Sequence, residues 1–548
     1  MKEKQNKSEY DQVIILILII ITIASLLWKT ITGFDTDEQC IFATMNRFAN
    51  GDRYLIDLFD PYQFSALIVT PIWLFCKALN PLNPVIMFRI CSILIKLLCG
   101  LPFYRFFSKK THDEYFATLC FLVWLTAFPK VILSLDHSNL TYIILSYTVF
   151  ILVNYSDSVR KACMLSIFFS LGVLVYPTMV VLSIPIIAIL FFQREKKTVT
   201  VCFLMCIVLA GLVLSPILAK AGINGLIHSL QMVLMDGSHR LVISDKIGTI
   251  IHDGREFLKY SQKMAQYFIV VGAGCYIYQR LIRKKSIIAG DYLVLFCTLP
   301  FIHVCVKLSL QNLFPHYTFD RYLLITVVSL LLTVSFRNRQ FLVANIINIS
   351  IWLIALISTN NGLLVTNGYI MWSTILVALF FYFQVQKKVV KLFLSTVLIS
   401  QCCIMVLTAR MTNFEYNSVF SSPLVLNSNM LNHMRIEPET NRFLSALPEV
   451  SEKLESDNLI VCGLDAYAYV ALDKNVYAPT TISTVVYNQQ WEIYIEERLL
   501  DDVNILIEHD AMDETDLLKI MDKYYSIQEI PLKNSDYTLL YCTKHISN

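Results

Sequence analysis

The chain has 548 residues, 56% of them hydrophobic and 16% charged, with a formal net charge of +3. A soluble domain carries about a quarter charged residues, so this composition is that of a membrane protein. So small a net charge gives no basis for a nucleic-acid partner, and the fifteen cysteines, mostly inside apolar runs and without paired metal spacing, read as small apolar fillers.

The first apolar run, Val13 to Trp28, is too long for a signal peptide and lacks a small-residue cleavage site, so it reads as an uncleaved anchor. Further apolar stretches recur at the length a helix needs to cross the hydrocarbon core. The predicted spans are 12–32, 84–104, 115–133, 139–155, 162–177, 178–193, 198–218, 265–282, 287–307, 321–336, 340–358, 368–386 and 391–409, thirteen in all. With the N-terminus in the cytoplasm, basic clusters fall on every inner segment: Lys2/Lys4/Lys7, Arg105/Lys109/Lys110, Arg160/Lys161, Arg194/Lys196/Lys197, Arg280/Arg283/Lys284/Lys285, Arg337/Arg339 and Lys387/Lys388/Lys391. The outer turns 134–138 and 359–367 carry none. Phe64 to Leu79 is also apolar enough to span, but counting it would invert every later loop. It is therefore laid in the outer interface or a re-entrant position, punctuated by Pro71, Pro81 and Pro84.

The expected fold is an α-helical polytopic membrane protein with a small extracytoplasmic α/β segment at its C-terminus. Residues 1–410 form the transmembrane part, with outer loops at 33–83 and 219–263, and 411–548 forms the outer α/β domain. Within it, strands are predicted at Leu459–Cys462, Val503–Ile507 and Tyr537–Tyr541, flanked by helices at Asn441–Leu454 and Glu514–Tyr524. No phosphate-binding glycine loop, nucleophile elbow or zinc pattern occurs there, and a Cys462–Cys542 bridge is left open.

The first outer loop opens with Asp37-Glu38, followed by Arg47 and then Gly51-Asp52-Arg53-Tyr54. Adjacent carboxylates at a membrane surface are costly unless they face water, a metal or a substrate. An anchor, an outer loop opening with Asp-Glu, a basic residue and then Gly-Asp with an aromatic resembles the C-type (GT-C) membrane glycosyltransferases, in particular the aminoarabinose-transferase and protein O-mannosyltransferase branch. Two further spots carry the resemblance: Leu135-Asp136 at the outer end of the third span, and Arg321-Tyr322 after His316 at the start of the tenth. The Lys-Pro-Pro or His-Pro-Pro segment typical of the family's first loop is absent, and Asp60-Pro61-Tyr62-Gln63 stands there instead. The resemblance implies a lipid-linked donor, a sugar on polyprenyl phosphate, and an outer-face cell-envelope acceptor: a glycan, a teichoic-type polymer, a lipid or a protein.

Such a transfer needs a carboxylate to take the acceptor's proton and cations or a metal to neutralise the departing phosphate. Asp37 is the candidate general base, with Glu38 as alternative or assistant; Asp35 reads as a helix cap. Asp136 is a candidate for orienting the acceptor or for joining a metal with the first-loop acids, or else a cap for the following helix. Arg321, Lys307, His316 and, in the second outer loop, Arg240 are the candidate donor-phosphate ligands, against the alternative that interfacial basic residues snorkel to headgroups. Metal dependence is open. A transporter or flippase of lipid-linked glycans is the alternative function, disfavoured because no internal repeat is visible and strong acids concentrate at span ends; a non-catalytic scaffold would not require the Asp-Glu placement.

Overall fold

The computed structural model describes residues 2–80, 83–156, 159–235, 243–278, 289–310, 320–336, 339–358, 370–412, 415–425, 431–463, 466–482, 486, 488–508, 516–533 and 536–545. The helical part runs in chain order through α1 (Lys2–Thr30), α2 (Thr36–Ala49), α3 (Gln63–Leu79), α4 (Pro84–Thr111), α5 (Glu114–Leu125), α6 (His137–Asn154), α7 (Val159–Val175), α8 (Ser183–Phe192), α9 (Lys196–Leu234), α10 (Ile243–Ile277), α11 (Ala289–Leu310), α12 (Asp320–Phe336), α13 (Arg339–Ser358), α14 (Trp372–Gln384) and α15 (Lys387–Leu407). Each of the thirteen predicted stretches overlaps one of these helices, but α9 and α10 run well beyond theirs, so that most of the described part of the expected outer loop 219–263 is helical. Six among the described residues are long and apolar enough to cross a membrane: Asp11–Thr30, Pro84–Thr111, Lys196–Leu234, Gly290–Lys307, Arg339–Ser358 and Lys387–Leu407.

Two predicted spans are shorter as helices than their apolar runs. The stretch 115–133 is helical only to Leu125, and residues 126–136 run as an irregular segment. Pro129 has no N–H to continue a helix, and it disfavours the α conformation at Phe128. The stretch 178–193 opens as a 3-10 turn over Pro177–Leu182, leaving ten residues of α-helix in α8. The apolar segment 64–79 is the helix α3, packed against α2 and α4 with Pro71 inside it.

After α15 the chain makes the hairpin β1 (Thr408–Thr412) and β2 (Glu415–Ser418), then α16 (Pro438–Lys453), β3 (Asn458–Cys462), α17 (Ala468–Ala471), β4 (Asn475–Val476), α18 (Asn488–Glu497), β5 (Asp502–Glu508), α19 (Asp516–Met521), β6 (Tyr525–Ile530) and β7 (Tyr537–Lys544). The five strands from β3 onward form one sheet in the order β4-β3-β5-β7-β6. β3 is parallel to β4 and β5, and β7 is antiparallel to β5 and β6. All three strands expected from sequence are present. Alternation along β5 sends Val503, Ile505 and Ile507 to one face, against Trp491 and Tyr494 of α18 and Ile520 of α19. Leu506 and Leu539 turn to the other face, in the cluster with Phe443 and Leu447 of α16. Cys462 and Cys542 are both free thiols.

This C-terminal layer is tied to the first loop. Gly33 N–H donates to the Arg435 carbonyl at 2.7 Å, and Arg435 N–H to Ile31 at 2.8 Å. Gly33 has φ +72°, and a Cβ there would sit 1.7 Å from the Ala409 carbonyl oxygen, so only glycine fits. Phe59 N–H donates to Pro479 O at 2.8 Å, and Phe59 and Met232 join the sheet's own core. The start of α2 is thereby held between α1, α4 and the C-terminal layer.

Candidate functional site

Asp35 occupies the N-cap of α2 and accepts a hydrogen bond from Asp37 N–H at 3.0 Å, the capping role expected from sequence. Asp37 and Glu38 then stand in the first turn, where the helix dipole favours negative charge. A single step of about 100° around the helix nonetheless gives them opposite environments. Glu38 is 1% exposed and forms a bidentate pair with Arg89 of α4, Nε to Oε1 at 2.8 Å and Nη2 to Oε2 at 2.5 Å. Ser134 Oγ donates to the same carboxylate. Arg89 also donates to Thr30 O at 2.9 Å and Gly33 O at 2.6 Å, satisfying carbonyls that the end of α1 leaves without partners. Glu38 is thus committed to holding α1, α2 and α4 together. Asp37 is about one-third exposed, and its carboxylate pairs with Lys130 of the 126–136 segment.

Asp136 ends that segment and caps α6, accepting from Asn139 N–H at 2.8 Å through Oδ1. Asn139 in turn donates from Nδ2 to Ile132 O at 2.9 Å and Ser134 O at 2.7 Å, which fixes the segment's curvature. Oδ2 of Asp136 is buried with no hydrogen-bond partner among the described residues, and the residue is 1% exposed. Burial pushes its carboxyl up to about 7; the Lys130 charge and the Asn139 N–H oppose that shift, while Asp37 and Glu38 reinforce it. These couplings place Asp37, Glu38, Lys130 and Asp136 in one electrostatic cluster. Asp136 is therefore a helix cap, one of the two readings its sequence allowed, and it is electrostatically coupled to the first-loop acids.

Two further cations are buried in the helical part. Lys96, on the same face of α4 as Arg89, donates to Ala127 O at 2.5 Å and sits 3.5 Å from the Phe128 ring centroid, within electrostatic range of Asp136. Arg321, at the start of α12, is 1% exposed, with its guanidinium 4.5 Å from the Tyr322 ring and 5.8 Å from Phe301. It faces the protein interior, not headgroups. Its Nη2 donates to Tyr322 Oη at 3.4 Å; that oxygen accepts from Gln401 Nε2 at 3.1 Å, and Gln401 Oε1 accepts from Thr126 Oγ1 at 2.7 Å. A continuous polar line therefore joins Arg321 to the residue from which the 126–136 segment departs.

The remaining predicted residues separate. Lys307 lies on α11 within electrostatic range of His303. Arg240 and His316 lie outside the described residues. His137 stacks on Tyr62 at 4.3 Å between centroids, with Tyr176 beyond, so the Asp60-Pro61-Tyr62-Gln63 segment packs beside the site. Arg47 is buried and structural: it pairs with Asp52 at 2.5 Å and donates to Asp57 O at 2.7 Å and Ala478 O at 2.8 Å, while Gly51 supplies the positive φ of the turn between them. Among the described residues no three His, Cys, Asp or Glu side chains converge to hold a metal.

Lys130, Arg89 and Lys96 escape a sequence reading that looks only for apolar runs. The signals were present: Pro129-Lys130 interrupts the 115–133 stretch, and Arg89 and Lys96 stand seven residues apart, on one face of a span.

No protein-family model matches the chain, and no curated protein matches it. Among solved structures it is similar to ArnT from Cupriavidus metallidurans bound to undecaprenyl phosphate, at 10% identity and a TM-score of 0.42 over 97% of this chain and 98% of that one. It is also similar to the oligosaccharyltransferase AglB from Archaeoglobus fulgidus, in complex with an inhibitory peptide and a dolichol-phosphate. That match has 10% identity and a TM-score of 0.41, over 95% of this chain and 73% of that one. ArnT from the same bacterium in the apo state gives 10% identity and a TM-score of 0.35, over 98% of each chain.

Proposed function

We propose that the protein is a glycosyltransferase of the C-type membrane class, moving a sugar from a polyprenyl-phosphate donor to a cell-envelope acceptor on the outer face of the membrane. The observation that carries the proposal is the convergence of Asp37, Lys130 and Asp136: the acidic dipeptide behind the first anchor meets the acid at the head of α6. The sequence resemblance that named Asp37 and Asp136, though not Lys130, supplies the reaction. On this proposal residues 33–83 and 411–548 lie outside the cell, and the N-terminus lies inside.

Asp37 is the general base. It is the accessible carboxylate of the three, and it accepts the acceptor hydroxyl's proton as that oxygen attacks the anomeric carbon and the carbon–phosphate-oxygen bond breaks. Lys130, which neutralises Asp37 at rest, turns toward the phosphate as negative charge grows on it, with Arg321 as the deeper cation. Asp136, whose carboxyl burial raises to about 7, orients the acceptor through Oδ2, which has no hydrogen-bond partner among the described residues. Glu38 is reassigned from chemistry to structure, because Arg89 and Ser134 occupy its carboxylate.

The test is transfer from a panel of undecaprenyl-phosphate-linked hexoses and pentoses, read as release of undecaprenyl phosphate in membranes containing the protein. Asp37→Asn is expected to remain inserted and to lose about a hundredfold or more of the activity. Wild-type turnover by that variant would remove Asp37 from the role, and an absence of release from any donor by the wild type would remove the function.

A further inference from the structure

At the end of the bundle opposite Asp136, four helices part around a cavity of about 380 Å³, within the roughly 300–1,000 Å³ span of ligand pockets. The last two turns of α4 (Phe103 to Lys110) and of α6 (Val149 to Asn154) line it with the first turns of α13 (Gln340 to Ala344) and the whole length of α14, from Trp372 to Gln384. α6 has 18 residues, roughly 27 Å at 1.5 Å per residue, with Asp136 capping one end and Asn154 closing the other. The cavity mouth therefore lies about one hydrocarbon thickness from the acidic cluster, at the other face of the membrane.

The walls and the lip differ sharply in chemistry. Phe103, Phe107, Trp372 and Phe380 line the interior and are buried. The indole N–H of Trp372 already donates to Ser146, so these four side chains turn no free polar group inward. The lip is polar: Lys110 and Gln340 are exposed there, and Lys109 and Arg339 are exposed beside them in the chain. The nearby acid Asp113 is engaged by Lys391 at 3.0 Å and by Tyr382 at 3.1 Å, so it does not neutralise that lip. An apolar slot with a cationic, hydrogen-bonding mouth is complementary to one molecule type, an acyl chain carrying a phosphate. A soluble metabolite would leave the aromatic walls unmatched, and a neutral lipid would leave Lys110 without a counter-charge.

We propose that this cavity binds one acyl chain of an anionic glycerophospholipid, drawn from the leaflet opposite the Asp37 site, with its phosphate held at Lys110 and Gln340. The site is separate from the sugar-transfer proposal and stands or falls independently of it.

The experiment uses the full chain in mild detergent, titrated with phosphatidylglycerol whose acyl chains are dibrominated and so quench adjacent tryptophan. Saturable quenching is expected that disappears in Trp372→Phe. Lys110→Gln, a surface change that leaves the core intact, should raise the half-saturation concentration about fivefold, the worth of one interfacial cation. Brominated phosphatidylcholine with the same chains should need about fivefold more lipid in the wild type. Ala344→Phe, which fills the wall, should abolish the saturable phase. Equal titrations for the two lipids, or an unchanged Lys110→Gln curve, would overturn the anionic-lipid assignment. Quenching that survives Trp372→Phe at full amplitude would place the lipid elsewhere and overturn the cavity.

Discussion

A carboxylate buried with one oxygen unpartnered should cost the folded state whenever it is ionised, and Asp136→Asn tests this directly. The unfolded carboxyl titrates near 3.9 and the folded one at about 7, a difference of roughly 3 pH units. At 1.36 kcal/mol per unit this is of the order of 4 kcal/mol. The sign follows from proton binding: between about pH 4 and 7 the folded state holds the proton and the unfolded chain has released it. Asp136 therefore contributes its stability fully below about pH 4 and loses it as the pH rises through about 7. Asparagine keeps the cap to Asn139 N–H and cannot ionise, but it leaves a buried amide N–H₂ short of partners, at a cost of about 1–3 kcal/mol. At pH 8 the variant should stand about 1–3 kcal/mol more stable than wild type, and at pH 4.5 the order should reverse. Chemical denaturation in mild detergent, followed by tryptophan fluorescence at both pH values, gives the comparison as a difference. Groups titrating in the opposite sense, such as Asp57 and Asp113, which hydrogen bonds and ion pairs hold below the usual carboxylate range against their burial, cancel in that difference. A wild-type-minus-variant gap that does not move with pH would refute the account of Asp136. The same variant should lose transfer activity, since a stability gain at a buried acid is what a functional site gives up.

Two further perturbations test the frame around the site. Arg89→Leu strands Glu38 as a buried charge and releases the carbonyls at the end of α1; a loss of about 3–5 kcal/mol is expected, and the double change Glu38→Leu with Arg89→Leu should recover much of it. Additive single effects in that double-mutant cycle would show that the pair does not act as a unit. Gly33→Ala should destabilise by more than the 1–3 kcal/mol typical of a non-glycine residue held at positive φ, because its methyl meets the Ala409 carbonyl oxygen. The loss should also free β1 from α1, seen as new protease cleavage near residue 409, and a protease pattern matching wild type would contradict that close approach.

Much of this protein was legible in its sequence because membrane helices and sheet strands declare themselves through local pattern. Apolar runs long enough to span, with basic residues between them, located the helices except for most of α10 and the end of α9, which fall in the expected outer loop 219–263, and short apolar runs located β3, β5 and β7. The position of Asp37-Glu38 behind the first anchor, and the role of Asp35 as a cap, were likewise local properties. Where proline and lysine broke an apolar run, at Pro129-Lys130, hydropathy averaged over the break and hid the segment that completes the site.

What only the tertiary structure decided is which partner each charge meets. Asp37 and Glu38 are neighbours in sequence and alike in charge, yet a 100° step around α2 aims Glu38 at Arg89 in the interior and Asp37 at Lys130 near the surface. Asp136 is a routine helix cap in sequence; packing of α4 and α6 around it removes water and makes it a group that titrates near neutrality. Hydropathy is additive along a chain and can be read from it. Desolvation and charge pairing depend on the distance between segments 50 to 100 residues apart, and that distance exists only once the helices have packed.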